Sequence, residues 1–446
     1  VKGSRKKMKK TILLLLSGIL ICCLMVSGCT KTEPAATDNE SATGEEPTLS
    51  GEISFSTWGS LEEKKVNEDI IALFESEHPG TKVNLEYIPE EYTTKIDSMF
   101  LGDMAPDVIY GHPKYFTKWA SEGLLMDLTD RFNATPELMD ETKFNTKLYD
   151  SFKYEGQNIA TVNGADTMLL FYNKTLFDKA NVPYPSEDWT WEDLIDAAQK
   201  LTEFDENGKP TQYGIAINNS YQAIEAFLFA NGGKLFDDMN NPKEVLINSS
   251  ENIEMLTLLQ DLIYKYKAAP TSADSETLGG GFDTGKIAMD INGVWAVVYR
   301  KDIKDFTWDI AELPVDEASG GKIPALYAGY AIAKNSKNPE LAWEFAKFMQ
   351  SDEAQKMLAA SGLITVINKQ IASSPEVIDI EGAPEHHILR VTSLEKSVHN
   401  DAVLVNWEEI LSKAFTPVID QLLNNTITPE DAATEMQADF EEMLKK

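Results

Sequence analysis

The stretch GEISFSTWG, residues 51–59, sets Ile53, Phe55 and Thr57 alternately with polar neighbours, the pattern of a half-buried strand. Val66, Ile70, Leu73 and Phe74 then recur at helical spacing until His78-Pro79-Gly80 stops them. Val83, Leu85 and Tyr87 alternate again, and PDVIYG at 106–111 reads as a short buried strand. Strand, helix, strand, helix, strand predicts a parallel α/β sheet. Further along, Thr190 is placed to cap WEDLIDAAQKL, with Asp193 completing a capping box. Asn338-Pro339 opens one helix over ELAWEFAKFMQSDEAQKML, which Gly362 ends. No repeat of roughly 20–50 residues interrupts this order.

Toward the N-terminus the composition changes. VKGSRKKMKK carries six cations and no acid, and Met8 is a better initiator than Val1. The apolar run from Ile12 to Val26 follows, shorter than the roughly 20 residues a spanning helix needs. Together these read as a secretory signal over residues 1–28. It ends Val26-Ser27-Gly28-Cys29, which resembles the lipobox of bacterial lipoproteins, so Cys29 is the expected lipidation site. Two acyl chains on one residue make a lasting anchor where one does not. Residues 29–50, rich in Thr, Ser, Glu and Pro, have too little apolar surface to fold and are expected to form a flexible tether. This places the protein on the outer side of the cell membrane, held by lipid.

The chain has 446 residues and a formal net charge of −32. Without the six cations of the signal the mature part stands at −38, a balance that repels phosphate backbones and excludes nucleic acid as a partner. Cys22 and Cys23 fall inside the signal, so neither a disulfide framework nor a cysteine metal site is available. The length after the signal exceeds the ~250–300 residues at which single cores stop growing, so two lobes are expected.

Several stretches, in order, resemble one family: YEGQNIATVNGADTMLLFYNKTLFDKANV, FLFANGGKLFD, GKIAMDINGVWAVV, WDIAELP and AIAKNSKNPELAWEFAKFM. They are similar to bacterial extracellular solute-binding proteins of the sugar-binding group that includes maltose-binding protein. The resemblance runs from about residue 51 to the C-terminus. It implies an α/β fold of two lobes around a ligand cleft, like that of periplasmic binding proteins, with several hinge crossings. One lobe is expected over 51–163 and 327–366, the other over 164–326 and 367–446. The crossings then fall near Asn163, Ala325–Tyr327 and Ile364–Val366.

A sugar offers hydroxyls and flat C–H patches, so its site needs aromatic faces, carboxylates and amides. The resemblance places Trp295, after Gly293 in INGVW, in the sugar cleft, and gives Trp407 of LVNWEEI a stacking role. Trp58 and Gly59 end the first strand, where the family places ligand contacts. Gly111 and His112 end another strand. Asp166 aligns with an acidic sugar contact, Tyr327 and Gly329 lie beside a crossing, and either Tyr221 or Gln222 supplies a further contact.

Other signals point elsewhere. GGFDTGK at 280–286 fits G-x-x-x-x-G-K, but Ile287 replaces the Ser or Thr that holds Mg²⁺, and Asp283 puts a negative charge in the cradle. DENG at 205–208 starts like a calcium loop and lacks the later ligands. His386 and His387 have no third histidine nearby, so no metal is expected, nor any cofactor. The expected protein is a monomeric, non-enzymatic binding component of an ABC importer that hands a carbohydrate to membrane permease subunits. A carbohydrate-active hydrolase or lyase on the same anchor is the alternative, and the same fold holding a non-sugar solute is a third reading.

Overall fold

A computed structural model describes residues 49–278 and 281–445. The expected signal, Cys29 and nearly all of the tether lie outside the described residues. Among the described residues, no helix is long and apolar enough to cross a membrane.

The chain begins with β1 (Gly51–Thr57), α1 (Leu61–Glu77), β2 (Thr81–Tyr87), α2 (Tyr92–Leu101), β3 (Val108–Gly111) and α3 (Pro113–Ser121). β1 pairs parallel with both β2 and β3, with Ile53 opposite Val83 and Phe55 opposite Val108. The alternation in the first stretch therefore becomes the start of a parallel sheet. Ser60 begins α1 with a reciprocal capping box to Glu63, which satisfies two backbone amides that the helix leaves open.

Two long strands carry the sheet onward. β4 (Thr161–Asn173) and β7 (Ile323–Ile332) are buried along their whole length, as interior strands covered on both faces must be. β7 runs antiparallel to β3 and to β4, with Tyr330 opposite Tyr110 and Leu326 opposite Asp166. Between them in the chain lie α4 (Trp191–Lys200), α5 (Tyr221–Ala230), α6 (Ser250–Tyr264), β5 (Met289–Gly293) and β6 (Trp308–Ala311). β5 and β6 both pair with the second half of β4.

Two hydrophobic cores flank this sheet. Phe55, Phe74, Trp119, Phe152, Tyr330 and Phe345 belong to the first. Phe177, Trp191, Phe227, Leu259 and Phe440 belong to the second. β4 leaves the first core at Ala165 and enters the second at Met168; on β7, Tyr327 packs in the first and Leu326 in the second. The β4 crossing thus lies at Asp166–Thr167, a few residues beyond Asn163. A smaller cluster gathers Phe171 and Phe282, against which the Arg300 guanidinium stacks at 4.4 and 4.6 Å.

After β7 come α7 (Pro339–Phe348), α8 (Asp352–Ser361), β8 (Thr365–Val366), β9 (Ser397–His399), α9 (Trp407–Ile410), α10 (Thr416–Leu423) and α11 (Pro429–Leu444). The single helix expected from Pro339 to Gly362 is two. Ser351 breaks it by accepting the amide of Ala354, with Asp352 and Glu353 in the new first turn. Gly362 ends α8 at φ 76°, as its position implied. Past β8, Ile371, Ala372 and Val377 pack in the first core and not in the second, because Lys369 and Ile367 bond back to Lys143 and Asn145.

Candidate functional site

A cavity of about 320 Å³ opens where β1, β3, β4 and β7 meet the segment after β5. Trp58 follows β1, Tyr110 lies on β3, and Trp295 and Tyr299 come from the turn and short helix after β5. Aromatic surface from both cores therefore walls the same space. Trp58 is packed edge-on to Tyr92, with ring centroids 4.8 Å apart, and lies 4.5 Å from Tyr110 and 5.2 Å from His112. These contacts leave Trp58 partly exposed and hold its ring in one orientation.

The glycines position these rings. Gly59 sits at φ 106°, where a Cβ would collide with the Glu63 carboxylate. Gly293 has the Trp295 ring folded over it, so closely that an added Cβ would lie 2.1 Å from that ring.

The polar groups are few. Asp166 Oδ1 accepts the Thr365 amide at 3.0 Å and the Thr365 hydroxyl at 3.1 Å, with Arg390 4.0 Å away. Burial raises its carboxyl to about 6, against the opposing pull of Arg390 and Thr365. Glu63 is raised as well, first by burial and further by the charge of Asp166. His112 Nδ1 donates to the Tyr327 carbonyl at 2.7 Å, and burial lowers the pKa of its ring. Gln222, at the start of α5, adds an amide. Aromatic faces with a handful of hydroxyl-pairing groups suit a neutral polyol.

Close to His112 in the chain, Lys114 of α3 reaches Glu408 of α9 at 2.8 Å and the hydroxyl of Tyr221, which precedes Gln222 on α5, at 3.2 Å. That hydroxyl donates to Asp401 at 2.8 Å. Elements of the first core and the second are thus in contact beside the cavity.

Beside this geometry, the sequence profile of bacterial extracellular solute-binding proteins matches residues 58–356. The chain belongs to that family. An ABC substrate-binding protein, Lmo0181 from Listeria monocytogenes, solved in complex with cycloalternan, is 29% identical. It superposes with a TM-score of 0.78, covering 89% of this chain and 100% of that one. The GacH receptor of Streptomyces glaucescens, solved unliganded and with acarbose, is 25% identical with a TM-score of 0.75, over 89% of this chain and 99% of that one. The galactooligosaccharide-binding protein of Bacillus subtilis is 24% identical over 340 residues, 73% of this chain and 75% of the relative. The fold is the two-lobe α/β fold of these proteins, and the two cores are its lobes.

In this solute-binding protein Trp58, His112, Asp166, Gln222 and Trp295 come together at the cavity. Trp407 does not. It is fully buried in the second core against Phe236 and Phe440, at 5.8 and 6.2 Å, with its Nε1 directed at Asp401, so no face is left to stack on a sugar. Tyr221 spends its hydroxyl on Lys114 and Asp401, while Gln222 beside it lines the cavity. Tyr327 points to the other face of β7. Gly111 and Gly329 pair across β3 and β7 with Phe116 and Phe152 packed over them, and neither lines the aromatic cavity.

Glu63, Tyr110 and Tyr299 were not anticipated. Glu63 carries no signal beyond its place at the start of a helix, and Tyr110 falls in the strand that reads as buried. Tyr299 stands four residues after Trp295, a helical spacing that places both on one face and was the available signal.

Elsewhere, Asp309, Glu385 and His386 converge within 4.8 Å. The Lys174 ammonium lies 3.0 Å from Glu385 and 4.0 Å from Asp309, supplying the positive charge there. In the G-x-x-x-x-G-K stretch, Asp283 pairs with Arg300 at 2.8 Å.

Proposed function

We propose that this protein is the lipid-anchored binding component of an ABC importer and holds a neutral saccharide, of oligosaccharide size, between its lobes. The observation that carries this reading is the set of four aromatic rings, Trp58, Tyr110, Trp295 and Tyr299, drawn from both lobes around one cavity. Names of the relatives support it, since they include binders of a galactooligosaccharide, cycloalternan and acarbose. Sugar enters between the lobes, a hinge movement on β4 and β7 closes them, and the closed form docks on a permease. Cys29 is the proposed anchor, facing the outside of the cell, and the protein acts as a monomer.

A thermal-shift screen against neutral oligosaccharides tests the reading; at least one should raise the melting temperature, and a panel-wide lack of response contradicts it. Two raised carboxyls in one cavity, Glu63 and Asp166, are also what an acid–base hydrolase would need. Incubation of the best-binding saccharide with catalytic amounts of protein separates the two, since a binder returns it uncut and steady turnover makes the protein an enzyme.

A further inference from the structure

Side chains alternate along a strand, and on β7 this separates two spaces. Leu326 and Ala328 reach the aromatic cavity, while Tyr327 between them lines a second cavity of about 440 Å³ on the opposite face of the crossing strands. Lys147 and Ser151, from the short helix Thr146–Phe152, form one wall of it. Phe229, Leu235 and Phe236 of the second core form the other.

The polar groups here are unevenly satisfied. Ser151 is 4% exposed and lines the cavity, and its hydroxyl has no partner among the described residues. Among the described residues neither ring nitrogen of His399 has a partner, and the ring stacks on Tyr327 at 4.7 Å. At the rim, Lys147, Lys234 and Lys322 make no ion pair among the described residues. The rim acids are already engaged. Asp150 pairs with Lys153 at 2.7 Å, Asp237 accepts the amides of Lys243 and Glu244, and Asp238 accepts that of Asn240. Asp150 is turned to Lys153 and Asp237 and Asp238 to backbone amides, so the three rim ammonium groups are left without a carboxylate partner among the described residues.

We propose that this rear cavity is a second ligand site and takes a small oxyanion bearing carboxylate or phosphate groups. Lys147, Lys234 and Lys322 meet its charge, and the Ser151 hydroxyl donates from the wall. Because the walls belong to different lobes, an occupant that touches both biases lobe separation by its differential affinity for the two arrangements. Tyr327 links the sites directly: its ring lines the rear cavity, and its carbonyl accepts from His112 of the front one.

Scanning calorimetry of the protein in citrate and in inorganic phosphate, each against sodium chloride of equal ionic strength, tests the site without any sugar. Millimolar citrate or phosphate should raise the midpoint, and which of them does so identifies the carboxylate or the phosphate as the recognised group. The double variant Lys147→Gln/Lys322→Gln should keep its midpoint in chloride and lose the response. Where that variant fails to fold, Ser151→Ala carries the same test with a weakened response. Midpoints equal to those in chloride for both anions, or variants that respond like the wild type, overturn the site. The coupling rests on the saccharide-binding reading: citrate should change the affinity for the best-binding oligosaccharide by about threefold or more. An unchanged affinity alongside a retained calorimetric response overturns the coupling and leaves the rear site in place.

Discussion

At the scale of the residue, the two tryptophans expected to stack on ligand have opposite fates, and the difference is measurable. Trp407 is 0% exposed and fills the second core between Phe236 and Phe440. Removing such a side chain forfeits its burial and leaves a hole, so Trp407→Ala should cost about 3–5 kcal/mol of folding stability in urea titrations. Loss of less than about 1 kcal/mol would mean that the ring is not packed there. Asp166 gives a prediction in pH. Its carboxyl is raised from 3.8 to about 6, so between these values the folded protein holds more protons than the unfolded chain. Its contribution is full below about pH 4 and is lost as pH rises through 6, a change of about 3 kcal/mol for a shift of roughly two units. His387 and His399, both lowered to about 4 by burial, work in the opposite direction across the same window. The difference between wild type and Asp166→Asn removes their effect. That difference should change with pH between 4 and 6.5, and a pH-independent difference rules out the raised carboxyl.

At the scale of the element, the helix expected from Pro339 to Gly362 is interrupted by a cap that the sequence contained. Ser351 followed by Asp352 and Glu353 is an N-terminal signal in the middle of an apolar periodicity, and the periodicity obscured it. Ser351→Ala should cost about 1 kcal/mol, read as a lower urea midpoint at unchanged slope. No loss would show that α7 and α8 do not depend on that cap. The parallel start of the sheet was legible because β1, β2 and β3 each show their own alternation or apolar run. The capping box at Thr190 was legible because its bonds are local, and it forms as expected. The cavity was legible only in part. Trp58, His112, Asp166 and Trp295 stand at strand ends or near a crossing, where position announces use. Glu63 and Tyr110 reach the cavity only because α1 and β3 are stacked beside it, which is tertiary information. Trp407 shows the converse: the resemblance gave it a stacking role, and Phe440 of α11 covers it instead.

At the scale of the whole molecule, two lobes share strands β4 and β7 and touch again through Lys114, Glu408 and Tyr221. The proposed anchor belongs to this scale as well: Cys29→Ala should move the protein from the membrane fraction into the medium, and a variant that stays with membranes removes the lipoprotein reading. At this scale the proposed saccharide sits against Trp295, between the lobes. Calorimetric titration of wild type and Trp295→Ala with the best-stabilising oligosaccharide tests it most directly. With wild-type affinity near micromolar, about −8 kcal/mol, losing a central aromatic platform should cost ~2–4 kcal/mol, so binding should weaken roughly 30- to 1,000-fold at a nearly unchanged melting temperature. Equal affinities for the two proteins would place the sugar elsewhere and contradict the account.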